Sequence, residues 1–247
     1  MRRWPFAVAS LGAAGWAFYN GQAPKPQGFG RTFVGTPGQG RLMALTYDDG
    51  PNTAWTPRLL ELLAEHDVKA TFFSIGHFAE EQPELLREVA AAGHAIGNHT
   101  YNHVAMPFHT DDTIRTELRR ATEAIEGAGV EMPLVQGKRL MRPPWGRRRP
   151  GTLRVLREEG YVPIVWSVTL WDWTKRVSTE KIMRKAERQI SGGDVILLHD
   201  GCNEGMGWDR RHSIEATELI LTQWKKQQGL EFVTIPEMIE RTGFVVP

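Results

Sequence analysis

The sequence is short of cysteine, of excess charge and of long hydrophobic runs, and each shortage removes a class of protein. Of its 247 residues one is cysteine, Cys202. No internal disulfide can staple the fold, so stability has to come from a buried core, for which the length suffices. Cys202 stands near His199-Asp200, where a thiol nucleophile could be sought; a small residue in a loop fits better, because activation of water by a metal needs no thiol. Basic and acidic residues nearly cancel, leaving a formal net charge of +1, whereas a nucleic-acid binder would carry a strongly basic domain. The uncharged, largely apolar stretch from Trp4 to Tyr19 falls just short of the ~20 residues that span a bilayer comfortably.

That stretch follows Met1-Arg2-Arg3, a short positive region before an apolar segment, as in a secretory signal. Trp4, Trp16 and Tyr19 suit a membrane interface. A clean small-x-small cleavage site is lacking; Gly21-Gln22-Ala23 comes nearest, and Pro24 follows it. Residues 1–21 are therefore expected to be a cleaved signal peptide or an uncleaved anchor attached through residues 4–19. Either places the protein outside the cytoplasm, secreted or membrane-anchored. Residues 22–40, rich in Pro, Gly and Gln, read as a linker, and residues 41–247 as the catalytic domain.

The domain is organised around Thr46-Tyr47-Asp48-Asp49-Gly50-Pro51-Asn52. Leu42-Met43-Ala44-Leu45 is an apolar strand, stopped by Gly50-Pro51. Neighbours on a strand point to opposite faces, but at a strand end that turns at once two carboxylates can share a pocket. Adjacent carboxylates raise each other's pKa unless a positive charge intervenes. A metal ion would supply it, with one Asp as ligand and the other as base. His99 and His103 stand at i and i+4, on one face of a helical turn. Asp49, His99 and His103 would then form a three-ligand site with an open position, the catalytic type of zinc site. The plainer alternative is a turn that caps the next helix, together with surface histidines.

Further strands are expected at Thr71–Ile75, His94–Gly97, Lys138–Arg142, Tyr161–Val168, Val195–Leu198 and Glu231–Thr234. Helices are expected from Thr56, taken as an N-cap before Pro57, to His66, and over Pro83–Ala92, Thr113–Glu126, Gly151–Glu159, Ser178–Gln189 and Ser213–Gln228, with a last one near Pro236. About seven strands, nearly all followed by helices, predict a parallel sheet. Asp48, Asp49, His99, Arg142, Asp172 and His199 all fall at strand C-terminal ends, where a β/α barrel keeps its active site.

Five stretches in order, Thr46–Asn52, His99–His103, Arg142-Pro143-Pro144-Trp145-Gly146, Trp171-Asp172-Trp173 and Ile196–Asp200, resemble the motifs of the polysaccharide deacetylase family, also called carbohydrate esterase family 4 or the NodB-homology domain. The resemblance spans roughly residues 41–247. It implies an α/β fold, a distorted (β/α) barrel. It implies removal of N-acetyl groups from N-acetylglucosamine units of a polysaccharide or oligosaccharide, with a divalent metal: Zn²⁺ first, Co²⁺, Ni²⁺ or Mn²⁺ also suiting the ligands. By resemblance, Asp48 is the general base and Arg142 holds and tunes it. The backbone N–H of Trp145 is an oxyanion donor, His199 the general acid and Leu197 a wall for the acetyl methyl. Asp172 either orients His199 or tethers Arg142. Trp171 and Trp173 are either core or a sugar platform. Arg147-Arg148-Arg149 reads as a solvated run beside the cleft, and His66, His77, His94, His109 and His212 as structural. Thr169 departs from the family, where Asp is frequent, and Trp145 stands where Tyr or Phe is common. The same scaffold would also suit an O-deacetylase, a sugar deformylase or a non-sugar amidase; a non-catalytic sugar-binding module is disfavoured by the full set of motifs.

Overall fold

The fold is built outward from its first strand, β1 (Leu42–Asp48), in a computed structural model that describes residues 15–247. β1 is almost wholly buried, as a central parallel strand must be. It pairs in parallel with β2 (Thr71–Ser74) on one side and β8 (Val195–His199) on the other. β3 (Ala95–Asn98) joins β2, and β5 (Lys138–Met141) joins β3. β6 (Tyr161–Pro163) pairs with β5, while β7 (Val168–Thr169) pairs with β8. β6 and β7 are the two ends of one stretch, the expected fifth strand, so the sheet closes on itself through it. β9 (Glu231–Phe232) pairs with the start of β1. All these pairings are parallel; β4 (Leu134–Val135) alone is antiparallel, a two-residue hairpin arm on β5 with no periodicity to betray it. The seven expected strands are present in a nine-stranded sheet, a distorted (β/α) barrel.

Alternation along the strands sorts side chains to two sides. Met43, Leu45, Tyr47, Ile196 and Leu198 join one apolar cluster. Ala44, Val195 and Leu197 join another with Phe73, Leu140 and Ile164. Period two therefore carries Thr46 and Asp48, and likewise Leu197 and His199, on this second face up to the strand ends.

Helices cover the barrel: α1 (Thr56–Glu65), α2 (Gly76–Glu81), α3 (Pro83–Ala91), α4 (Asp111–Gly127), α5 (Pro150–Glu158), α6 (Thr179–Gln189), α7 (Arg211–Ile220) and α8 (Ile235–Thr242). α4 shows the logic: Thr110 caps it by accepting from the Thr113 N–H, and Ile114, Leu118, Ala121 and Ile125 bury one stripe. Two helix expectations change. Trp55, not Thr56, precedes α1; the Thr56 hydroxyl is buried, accepts from the Asn52 N–H and donates to Asp200. The helix expected to run to Gln228 passes from α7 into a π-helical segment, Leu221–Gln227.

The expected linker at residues 22–40 is instead part of the barrel. Phe33 is fully buried and bridges Ile164 in parallel, while Gly35 bridges Asp194 in antiparallel fashion. The Phe33 N–H donates to Pro163 O and its carbonyl accepts from the Val165 N–H, both at 2.9 Å. A Pro- and Gly-rich composition argues against regular elements, not against packing, and Phe33 supplies the apolar contact, edge-on to Phe244 at 5.0 Å. The expected signal or anchor lies largely outside the described residues. Residues 15–22 are helical, and Asn20 and Gly21 are buried. Among the described residues no helix is long and apolar enough to cross a membrane.

Phe33→Ala is expected to cost about 3–5 kcal/mol in urea denaturation, as for other buried Phe truncations. A residue in a free linker would change stability by less than about 0.5 kcal/mol.

Candidate active site

The β1–β8 register sets Asp48 directly beside His199. Asp49 then turns back in the left-handed region, at φ 70°, so that its carboxylate joins that of Asp48 rather than facing away. The chain packs closely here: a Cβ on Gly201 would lie 1.8 Å from the Asp49 carbonyl oxygen. His99 follows β3 at once. The helical turn expected between His99 and His103 is absent; Thr100 and His103 adopt φ values of 64° and 53°, and this bend brings the imidazoles together instead. Glu117 of α4 clamps the bend, accepting from the backbone and side-chain nitrogens of Asn102, both at 2.7 Å.

Asp49 Oδ1 stands 3.4 Å from His99 Nε2 and 3.2 Å from His103 Nε2, and the three residues are buried. His99 Nδ1 lies 2.7 Å from the Arg142 carbonyl oxygen. A carbonyl only accepts, so Nδ1 carries the proton and the Nε2 lone pair faces Asp49. Asp49 Oδ1 and His103 Nδ1 are buried without a hydrogen-bond partner. Orphaned polar atoms in a dry site are costly; a divalent cation among these three side chains would satisfy the carboxylate, and two imidazoles with one carboxylate suit such an ion. Burial alone would raise the Asp49 carboxyl, but His103 and His99 outweigh it and hold it well below its usual range. Burial pushes His103 down to about 3, leaving its imidazole neutral, as a ligand must be.

On one flank, Arg142 Nη1 donates to Asp48 Oδ1 at 2.6 Å and to Thr46 Oγ1 at 2.8 Å. Its guanidinium lies over the Phe73 ring at 4.2 Å. Asp48 Oδ2 is left facing the imidazoles, 3.8 Å from His99 Nε2. On the other flank, His199 Nδ1 meets Asp172 Oδ1 at 2.9 Å, and the His199 N–H donates to Asp172 Oδ2 at 2.7 Å. Of the two partners open to Asp172, the structure selects His199. Ser213 adds a donor to Asp172 at 2.8 Å. Burial would lower His199, but Asp172 outweighs it and raises it above its ordinary value. Burial raises the Asp172 carboxyl, and the His199 imidazole more than reverses this.

Asp48, Asp49, His99, His103 and His199 line a cleft of about 390 Å³ together with Trp145, Trp166, Leu197 and Trp173. Trp145 has φ 55° within a short 3₁₀ turn. The Gly146 and Arg147 N–H groups close that turn onto Pro143 and Pro144, and the Trp145 N–H takes no backbone acceptor among the described residues. Trp171 and Trp173 are exposed and stacked, with centroids 5.5 Å apart; they are not core, and Trp173 packs edge-on to His199. Thr169 stays outside this network, its backbone N–H and C=O holding the Gln189 carboxamide. Cys202 lines the cleft, but burial pushes its thiol up, away from the reactive thiolate. Thr46, Ser213 and Glu117 are supporting groups that sequence did not reveal. Their contacts cross the fold; Thr46 lies in the first motif, but its role is set by Arg142 and Ile196, distant in sequence, and nothing beside Ser213 or Glu117 signals theirs.

The expected solvated run Arg147–Arg149 is only partly so. Arg148 is 1% exposed, and burial lowers it to about 10. Arg147 lies over the Trp145 ring, and Arg149 pairs with Asp111. Sequence could not tell which of three successive arginines turns inward, because three of the four carbonyls that hold Arg148 lie more than a hundred residues away.

A barrel that sets a triad fit for a cation between an Asp–Arg pair and a His–Asp pair, all at the strand ends, has the architecture of a hydrolase. The chain belongs to the polysaccharide deacetylase family, whose pattern it matches over residues 35–164, and it is an enzyme of that hydrolase class. It is 34% identical to a peptidoglycan-N-acetylglucosamine deacetylase of Bacillus cereus, over 82% of this chain and 90% of the relative. It is 36% identical to a chitooligosaccharide deacetylase of Azorhizobium caulinodans, over 68% of this chain and 78% of the relative. The crystal structure of the peptidoglycan N-acetylglucosamine deacetylase Bc1960, at 33% identity, superposes with a TM-score of 0.75, covering 83% of this chain and 91% of that one.

Zn²⁺ at about a hundred times its dissociation constant should stabilise the chain by about 2.7 kcal/mol, seen as a rise in melting temperature. Asp49→Ala should lose that rise and weaken Zn²⁺ binding more than about tenfold by calorimetry. An unchanged rise would place the ion elsewhere.

Proposed function

We propose that this chain removes N-acetyl groups from N-acetylglucosamine units of a polysaccharide, peptidoglycan or a chitin-like polymer. The observation that carries the reading is the pair of distinct acid–base devices on opposite flanks of one cation triad. Asp49, His99 and His103 would hold the ion, with Zn²⁺ favoured by the ligand set. When bound, it would polarise the acetyl carbonyl and acidify water in the cleft.

The residues divide the remaining work. Arg142 occupies Asp48 Oδ1, leaving Oδ2 to take the proton from an attacking water. The Trp145 N–H, free of any backbone acceptor among the described residues, donates to the developing oxyanion. Leu197 gives the acetyl methyl an apolar wall. His199, bound through Nδ1 to Asp172, turns Nε2 to the cleft and gives its proton to the departing amine. Asp172 orients the ring and stabilises its charged form. Trp173, beside His199, offers an aromatic face to a sugar. Arg2-Arg3 and the apolar stretch after them support action outside the cytoplasm, where cell-wall polymers lie, with the N-terminal segment as signal or anchor.

Acetate release from N-acetylated chitooligosaccharides and from peptidoglycan tests the reading. Asp48→Asn should lower kcat by about 10²–10⁴-fold, and chelation should abolish release until Zn²⁺ is restored. Full activity of Asp48→Asn would remove the base assignment, and release of acetate only from O-acetylated xylan would favour the O-deacetylase.

The rate should also fall at high pH as His199 loses its proton. Asp172 raises the His199 pKa, so the acid persists until pH exceeds that raised value. Asp172→Asn removes the negative charge and leaves burial to lower the pKa; the alkaline limb of the kcat profile should move to lower pH. A limb that stays in place would assign it to another group.

A further inference from the structure

Arg148 is a buried cation with no carboxylate partner among the described residues. Its guanidinium is taken up by backbone oxygens alone: Nη1 donates to Ala23 O at 3.0 Å and Gly146 O at 2.8 Å, and Nη2 to Pro24 O at 2.9 Å and Pro26 O at 2.6 Å. Its own N–H donates to Gly21 O at 3.0 Å. A guanidinium presents five donors in a fixed fork, and here the fork ties residues 21–26 to the turn that bears Trp145 and Gly146.

The residues flanking the tied segment are held by hydrogen bonds of their own. The Gly28 N–H donates to Asn20 Oδ1 at 2.7 Å, and the Thr32 N–H to Gln27 Oε1 at 2.7 Å. Gly21 is packed so closely that an added Cβ would lie 3.2 Å from Arg148 O. Within this segment Gln22 lines the catalytic cleft with Trp145 and Arg147. It is half-buried, and its carboxamide makes no hydrogen bond among the described residues. A free amide has both donors and an acceptor, a match for the hydroxyl and N-acetyl groups of a sugar ring.

We propose that residues 21–26 form a wall of the glycan cleft, that Gln22 is a substrate-binding residue on that wall, and that Arg148 is the positioning residue that seats it. The ligand class is an N-acetylhexosamine oligomer, with one sugar lying between Gln22 and Trp145. The proposal rests on reading the cleft as a glycan site and deepens it. It also makes the region around Gly21-Gln22-Ala23 part of the working domain, since removing Gly21 and Ala23 would take away two of the oxygens that hold Arg148 and its backbone.

The test uses the full chain and chitotetraose as probe, with Gln22→Ala, Arg148→Met and Arg148→Lys. KM and kcat are measured by acetate release, and binding by tryptophan fluorescence. Gln22→Ala should raise KM and the dissociation constant about fivefold, the loss of one neutral hydrogen bond, with a much smaller change in kcat. Arg148→Met should raise KM at least as much, and Arg148→Lys should recover part of the loss by keeping one donor to the carbonyls. A merely structural Arg148 would lower the melting temperature without this split between KM and kcat. Unchanged KM and binding in Gln22→Ala overturns the proposal whether or not Arg148→Met folds. Chitotetraose that binds but is not deacetylated, with binding weakened by Gln22→Ala, would remove the proposed reaction and keep the wall. Absence of any chitotetraose binding would overturn the wall as well.

Discussion

The site hangs on Arg142. Its guanidinium is fully buried and held 2.6 Å from Asp48 Oδ1, while its carbonyl accepts the Nδ1 proton of His99. One residue thus fixes the carboxylate proposed as base and the tautomer of a metal-type ligand. A buried ion pair contributes little net stability, because desolvation offsets attraction, but removing one partner costs about 3–5 kcal/mol. Thr46 completes the arrangement: its hydroxyl accepts from Arg142 and donates to Ile196 O at 2.6 Å, linking the guanidinium to the strand that ends in His199. Disturbance of any of these contacts reaches both flanks of the cleft.

Three aspartates at these strand ends show how environment assigns roles. Asp48 meets a guanidinium, Asp49 meets two imidazoles, and Asp200 meets chiefly the Thr56 hydroxyl. Burial pushes Asp200 up to about 7, whereas Asp49 is held low by its histidines. Chemically identical side chains within a few ångströms are thereby separated in protonation, the usual means by which a fold runs acid and base chemistry at one pH. Asp200 serves packing: a Cβ on Gly50 would lie 2.3 Å from its Oδ2, so the carboxyl fills the space under the Asp49 turn.

Much of this was legible in the sequence, for a physical reason. Strand cores, helix stripes and the residues at strand ends are local, and period two or 3.6 exposes them; that is why Asp48, Asp49, His99, Arg142, Asp172 and His199 could be placed at one end of a barrel. The misreadings occurred where long-range contacts override local propensity. Residues 22–40 lack periodicity, yet Phe33 and Gly35 complete the sheet. Arg148 sits in a run of charges, yet its acceptors lie in residues 23–26 and at Gly146. Spacing brought His99 and His103 together for a reason that proved different: an i, i+4 pair meets on a helix, and here it meets across a bend.

That bend belongs to a wider pattern. Among the described non-glycine residues with positive φ, Asp49, His103 and Trp145 line the cleft, Thr100 follows the lining His99, Trp171 stacks on the lining Trp173, and Asp67 and Gln136 lie elsewhere. Each such residue costs roughly 1–2 kcal/mol relative to ordinary backbone, so the concentration has to be sustained by the frame around it. The frame is the closed barrel, with its register-locked β1–β8 pair and the Glu117 clamp from α4. The left-handed turns re-aim side chains at the ends of strands that would otherwise alternate between faces. Asp48 and Asp49 could not both face the cleft without one. A regular strand end could supply one carboxylate to the pocket; the strained turn is what makes it two, and so allows the carboxylates proposed as base and as metal ligand to be neighbours in sequence.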